Sequence, residues 1–215
     1  MPNYKLGIWV LLILLLTACG NQSTEQIYTY LEKAVELEEP FQQQQEPLQE
    51  AEKKEFQWYE EAITLGMDEF EKVLSLSDEA LASIDEREKM IMIEKESIER
   101  SFEEFNKIKL EFENIEDETI LSDLEKLTET MENRYEAYQD LFDIYNQTIE
   151  EDRKLYTLLK DEDLDISTLQ SQINTVNEQY ELVMNSKENF NKLTDSYNEQ
   201  KKLFYESVGL DVHYQ

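Results

Sequence analysis

Between Leu48 and Val208 the chain holds no proline and a single glycine, Gly66. Sheets need frequent reversals, and reversals draw on glycine and proline for backbone angles that other residues resist. A stretch this long without them has only polar clusters for punctuation, so the expected class is all-α with long helices. The apolar pattern agrees. Ile84, Ile91, Ile98, Phe105 and Phe112 recur at intervals of seven, and Leu81, Phe102, Ile108 and Ile115 widen the stripe. A sevenfold repeat underwinds a helix to 3.5 residues per turn and coils it left-handed about its neighbours.

Three segments of similar length follow, at about 78–116, 120–160 and 167–208. The second runs on alternating fours and threes through Leu124, Leu127, Met131, Tyr138, Leu141, Tyr145, Leu155 and Leu159, with Arg134, Thr148 and Asp152 as weak positions. The third uses Leu169, Ile173, Val176, Tyr180, Val183, Phe190, Tyr197 and Phe204, interrupted by Lys187, Thr194 and Lys201. Short connectors between equal helices make antiparallel neighbours. The expected architecture is an elongated antiparallel three-helix bundle, spectrin-like, roughly 60 Å long at 1.5 Å per residue, with extra N-terminal helices. Asp85–Lys89, Glu96–Arg100 and Glu103–Lys107 read as pairs on its exposed side.

Residues 25–76 form the N-terminal helical segment, expected as a base for the bundle of residues 77–209, with 210–215 as a tail. A first helix over 25–38 buries Ile27, Leu31 and Ala34 and ends before Pro40. A second starts near Pro47 and buries Leu48, Ala51, Trp58, Ala62 and Leu65. The stripe changes phase at Leu65-Gly66-Met67, where a break is expected, and Ser75-Leu76-Ser77-Asp78 supplies caps for the next helix. Ser167 and Gln170 have the spacing of a capping box.

Residues 1–18 carry one charge, Lys5, followed by an uncharged apolar run from Leu6 to Leu16. That run is too short to span a bilayer, which takes roughly 20 residues, and has the form of a secretory signal. Its end, Leu16-Thr17-Ala18-Cys19, resembles the lipobox of bacterial lipoproteins. The resemblance implies recognition of Leu16, Thr17 and Ala18 by the lipoprotein signal peptidase. It implies a diacylglycerol on Cys19 and cleavage before it. Two acyl chains hold a protein stably where one does not. Cys19 is the sole cysteine, which excludes an internal disulfide. Residues 19–24 then read as a lipidated tether, and the expected location is the outer face of the cytoplasmic membrane.

The net charge is −30. Such a chain repels polyanions and lacks the basic footprint that nucleic acids require. Chemistry-bearing constellations are absent from the sequence. His213 is the one histidine, without a partner for a metal site or for a nucleophile's base. Asp161-Glu162-Asp163 lacks the ligand spacing and turn glycine of a calcium loop. Trp58 and Tyr59 exceed what one buried stripe holds and are candidate partner contacts.

The stretches Gln43-Gln44-Gln45-Glu46-Pro47-Leu48, Leu65-Gly66-Met67-Asp68-Glu69-Phe70 and Leu76-Ser77-Asp78-Glu79-Ala80 carry a wider resemblance. So do Glu94-Lys95-Glu96-Ser97-Ile98, Arg134-Tyr135, Phe204-Tyr205 and Gly209-Leu210. With the lipobox they resemble the YkyA family of Bacillus and related Firmicutes, described as cell-wall binding lipoproteins. The resemblance implies a wall-facing, membrane-anchored protein without enzyme activity, and no cofactor is expected. The expected function is a non-enzymatic surface lipoprotein that binds an envelope component or acts as a spacer. A protein partner or a homodimer through the helices is open to it. Two alternatives are a small-ligand or hydrolase-type site between the N-terminal helices and the rod, and a scaffold for a membrane enzyme.

Overall fold

The computed structural model describes residues 18–65 and 67–210; Leu16, Thr17, Gly66 and His213 lie outside the described residues. Five α-helices follow in order: α1 Ala18–Leu37, α2 Glu39–Thr64, α3 Phe70–Phe105, α4 Glu118–Leu158 and α5 Ile166–Ser207. Short 3₁₀ segments, Met67–Glu69 and Asn106–Asn114, precede and follow α3. No strand occurs among the described residues. The class is an all-α helical bundle.

The paired helices α1 and α2 run one way, α3 returns, α4 runs out and α5 comes back. The N-terminal helices therefore make no separate base. They lie along α3 as a fourth long member of the bundle, because one apolar stripe runs through both: Ile27, Leu31 and Ala34 in α1, Leu48, Ala51 and Ala62 in α2. Residues 19–24, expected as a tether, lie in the first turns of α1, and Ser23 is buried.

The junction of α1 and α2 has a specific cause. Pro40 sits in the first turn of α2, where its missing N–H costs nothing. The bond that would run from Phe41 N–H to the Leu37 carbonyl is replaced by the Ser97 hydroxyl of α3. Ser97 accepts from Phe41 N–H at 3.2 Å and donates to the Leu37 carbonyl at 2.6 Å. A side chain inserted into the helical ladder is a standard origin of a kink. Helix α2 then continues through Pro47 rather than starting there.

Other boundaries also differ from expectation. Helix α3 starts at Phe70, not at the Ser75–Asp78 cluster, since Ser77 is fully buried within the helix. The cap of α5 is Asp165, which accepts from Thr168 N–H at 3.2 Å and from the Ser167 hydroxyl, while Gln170 bonds Asn174. Asp117 caps α4 by accepting from Thr119 and Ile120 N–H. Of the surface pairs, Asp85 reaches across to Arg153 instead, Lys89 to Glu86 and Lys107 to Glu104.

Three apolar clusters divide the core along its length. The proximal one, at the end where α1 begins, joins Ile27 and Leu31 to Phe105, Leu124, Leu127 and Phe204. The middle one centres on Ile98, Tyr138 and Phe190. The distal one joins Leu48, Ile84, Ile91, Ile149 and Tyr156.

Candidate functional site

Helix α4 packs against α3 and α5, and α1–α2 packs against α3. The remaining seam, between α2 and α5, is a groove floored by α4. Helical spacing puts Gln45, Gln49, Glu52, Phe56 and Tyr59 of α2 on one wall and Ile173, Asn177, Tyr180, Met184 and Lys187 of α5 on the other. Two cavities lie along it. One, of about 200 Å³, has Tyr138, Phe142 and Tyr145 on its floor and Glu94 reaching in from α3. The other, of about 250 Å³, is floored by Asp152, Leu155 and Tyr156. Glu52 and Tyr180 line both.

Beneath the point where the cavities meet is a buried ion cluster. Arg87 of α3 is fully buried. Its Nη1 donates to Glu55 at 2.5 Å and to Asp152 at 3.0 Å, and its Nε donates to the Tyr145 hydroxyl at 3.2 Å. Tyr145 donates in turn to Glu52 at 2.5 Å, and Tyr180 to Asp152 at 2.8 Å. Ser83 donates to the second oxygen of Glu55 at 2.7 Å. Arg87 Nη2 has no hydrogen-bond partner and lies 3.9 Å from Glu52 Oε1.

Burial pushes the Glu55 and Asp152 carboxyls above their ordinary range, and Arg87 pulls each back in part. Desolvation opposes the Arg87 charge, but Tyr180, Tyr145, Glu55 and Asp152 outweigh it and hold the guanidinium well above its usual range. Glu94, farther along the groove, has no such cation. Burial pushes it up to about 8, although Gln45 donates to it at 2.5 Å and Lys187 lowers it. The Tyr145 and Tyr180 phenols are pushed up by burial, so they stay hydrogen donors rather than bases.

Two further polar layers lie toward the proximal end. Arg134 of α4 grips Glu38, at the α1–α2 junction, through Nη1 and Nη2 at 2.8 and 2.7 Å. Its Nε donates to Thr194, and Ser101 donates to Glu38. Lys201 and Tyr205 of α5 both reach Glu32 of α1, at 3.5 and 2.7 Å. In every layer the α1–α2 arm supplies an acid, Glu55, Glu38 or Glu32, and another helix supplies the cation; in the Arg87 layer α4 adds a second acid, Asp152.

Arg134, Thr148, Asp152 and Lys201 interrupt the apolar stripes of the sequence; all four are buried, and three of them carry these layers. Arg87, Glu94 and Ser101, also buried, lie off the apolar stripe and are not marked by it. The signal was present: Ala80, Arg87, Glu94, Ser101 and Ile108 stand seven apart, and none is more than 7% exposed. They form a second stripe beside Ile84, Ile91 and Ile98.

Trp58 packs partly buried against the distal cluster, and Tyr59 lines the second cavity beside the exposed Phe56. The backbone of Ala18 and Cys19 opens α1. Asp161 closes a turn by accepting from Asp163 N–H at 3.0 Å. Among the described residues no group of three His, Cys, Asp or Glu side chains is placed to hold a metal, and no helix is long and apolar enough to cross a membrane. What the groove supplies is apolar surface, fixed hydrogen donors and excess negative charge.

The molecule is thus a four-stranded antiparallel helical bundle with polar layers in its core and one open seam. It belongs to the YkyA family, whose model, described as "Putative cell-wall binding lipoprotein", matches residues 22–207. A relative from Bacillus subtilis (strain 168), called "Uncharacterized lipoprotein YkyA", is 35% identical over 212 residues, covering 98% of this chain and 95% of that protein. A crystal structure of a conserved Staphylococcus aureus protein of unknown function shares the fold, with a TM-score of 0.65 at 12% identity over 89% of this chain and 97% of that one.

Proposed function

We propose that this chain is a non-enzymatic lipoprotein of the cell envelope, held by a lipid on Cys19 at the outer face of the cytoplasmic membrane. There it would stand as a helical rod that contacts a wall component or spaces the membrane from it. The observation that carries this reading is the join between Leu16-Thr17-Ala18-Cys19 and α1. The helix opens at Ala18 and packs along the bundle from Ser23 onward, so a lipid at Cys19 would adjoin a continuous rod rather than a loose linker. Family membership supports the lipoprotein class and an envelope setting. The acids and cations of the three polar layers pair with one another, which supports a binding or spacing role over catalysis.

The anchoring is tested by partitioning cells expressing wild type and Cys19→Ala between detergent and aqueous phases. Wild type should enter the detergent phase and incorporate labelled palmitate, and the variant should do neither. A variant that stays membrane-bound through a salt wash overturns the anchor. Wall contact is tested by sedimenting the purified chain from residue 19 onward with isolated cell walls, with and without millimolar Mg²⁺. Retention in the supernatant under both conditions leaves the spacer role alone.

A further inference from the structure

The α2–α5 seam leaves core-type side chains open to water. Phe56 is 57% exposed on one rim and Met184 71% on the other. The cavities between them measure about 200 and 250 Å³. Each falls below the roughly 300–1,000 Å³ of a site for a drug-sized ligand, but each has room for one large apolar side chain. They lie end to end along α2, with centres roughly two helical turns apart, about 11–13 Å.

Charge decides what kind of ligand fits. Glu52, Glu55 and Asp152 share the single guanidinium of Arg87 below the meeting point. Glu52 is the open member: its side chain is 32% exposed, it lines both cavities, and its hydrogen bond comes from neutral Tyr145. Among the described residues Lys187 is the one cation lining either cavity. A second copy of this chain would bring another surface from a molecule of charge −30 and meet repulsion.

We propose that the seam receives a basic amphipathic helix of a partner protein. Its apolar side chains, spaced two turns apart, enter the two cavities. A lysine or arginine between them meets Glu52, flanked by the Tyr180 ring. The docked helix completes the bundle along its open side, the groove mode in which anchors recur at about i and i+7. This inference needs neither the lipid nor wall binding, so either can fail without the other.

The test uses the chain from residue 19 onward, which retains all five helices, at 0.15 M salt. The probes are a fluorescent peptide of about 18 residues with leucines two turns apart and arginine between them, a scrambled peptide of the same composition, and an acidic version. Anisotropy should show the basic amphipathic peptide binding at least about tenfold more tightly than the scramble, with no binding of the acidic one. Met184→Lys and Phe56→Ser, both at exposed positions, should each weaken it about tenfold, and Glu52→Gln at least about threefold. Glu129→Gln, an exposed site on α4, should leave it unchanged, and melting curves report that each variant is folded. Equal binding of the scramble, or indifference to the seam substitutions, overturns the proposal. So does self-association of the protein that Met184→Lys abolishes, which would make a second copy the occupant. Displacement of the peptide by dodecylamine at equal concentration would assign the groove to a small amphiphile and also overturns it.

Discussion

Arg87 makes the energetics of the core concrete. A lone guanidinium so deep would cost several kcal/mol, and its partners return most of that. The cost of breaking the set is therefore larger than its net contribution. Arg87→Met leaves Glu55 and Asp152 buried without a cation, and urea unfolding should show a loss of about 3–5 kcal/mol. Replacing Glu55 and Asp152 with apolar residues in the same molecule should recover most of it. Glu94 gives a pH signature. Its folded value, about 8, lies above the ordinary 4.5. Between those values the folded chain binds the proton and the unfolded chain does not. Its stabilising contribution is complete below pH 4.5 and is lost as pH rises toward 8. Glu94→Gln keeps the bond from Gln45 and removes the titration. Thermal melts should show wild type less stable at pH 8 than at pH 5, and the variant more stable than wild type at pH 8 by roughly 2–4 kcal/mol.

At the scale of elements, the kink between α1 and α2 depends on one hydroxyl. Ser97→Ala strands the Leu37 carbonyl and the Phe41 N–H, at a cost of about 1–3 kcal/mol. Hydrogen exchange should accelerate around residues 37–41 before it does so in α4. The cap of α4 is simpler: Asp117→Ala should cost about 1 kcal/mol in chemical denaturation. The stripe through Ile84, Ile91 and Ile98 was legible because apolar side chains at intervals of seven have no other common use. The parallel stripe through Arg87 and Glu94 was not, because charged residues on an acidic helix look like its wet face until partners arrive from distant parts of the chain. Glu55 lies 32 residues from Arg87, and Asp152 lies 65. The start of α3 at Phe70 was hidden by serines that cap helices in most settings, while here Ser77 is buried inside one. The groove depends on which two helices fail to close on each other, a property of the assembled bundle.

For the whole molecule, α3, α4 and α5 contain 36, 41 and 42 residues, which makes a body roughly 55–65 Å long. Small-angle scattering from dilute protein should return a longest dimension of about 65–80 Å; a value near twice that would mean end-to-end dimers. Four passes of the chain also bring α5 back beside the start of α1, where Tyr205 lies 5.4 Å from Tyr28. Both ends of the described fold thus share one face, and the opposite face carries the segments Met67–Glu69 and Leu159–Asp165. With Cys19 lipidated, a reporter fused after Leu210 would sit in the shade of the membrane. An epitope spliced at Asp161–Asp163 would be the part of this protein that reaches farthest from the lipid surface.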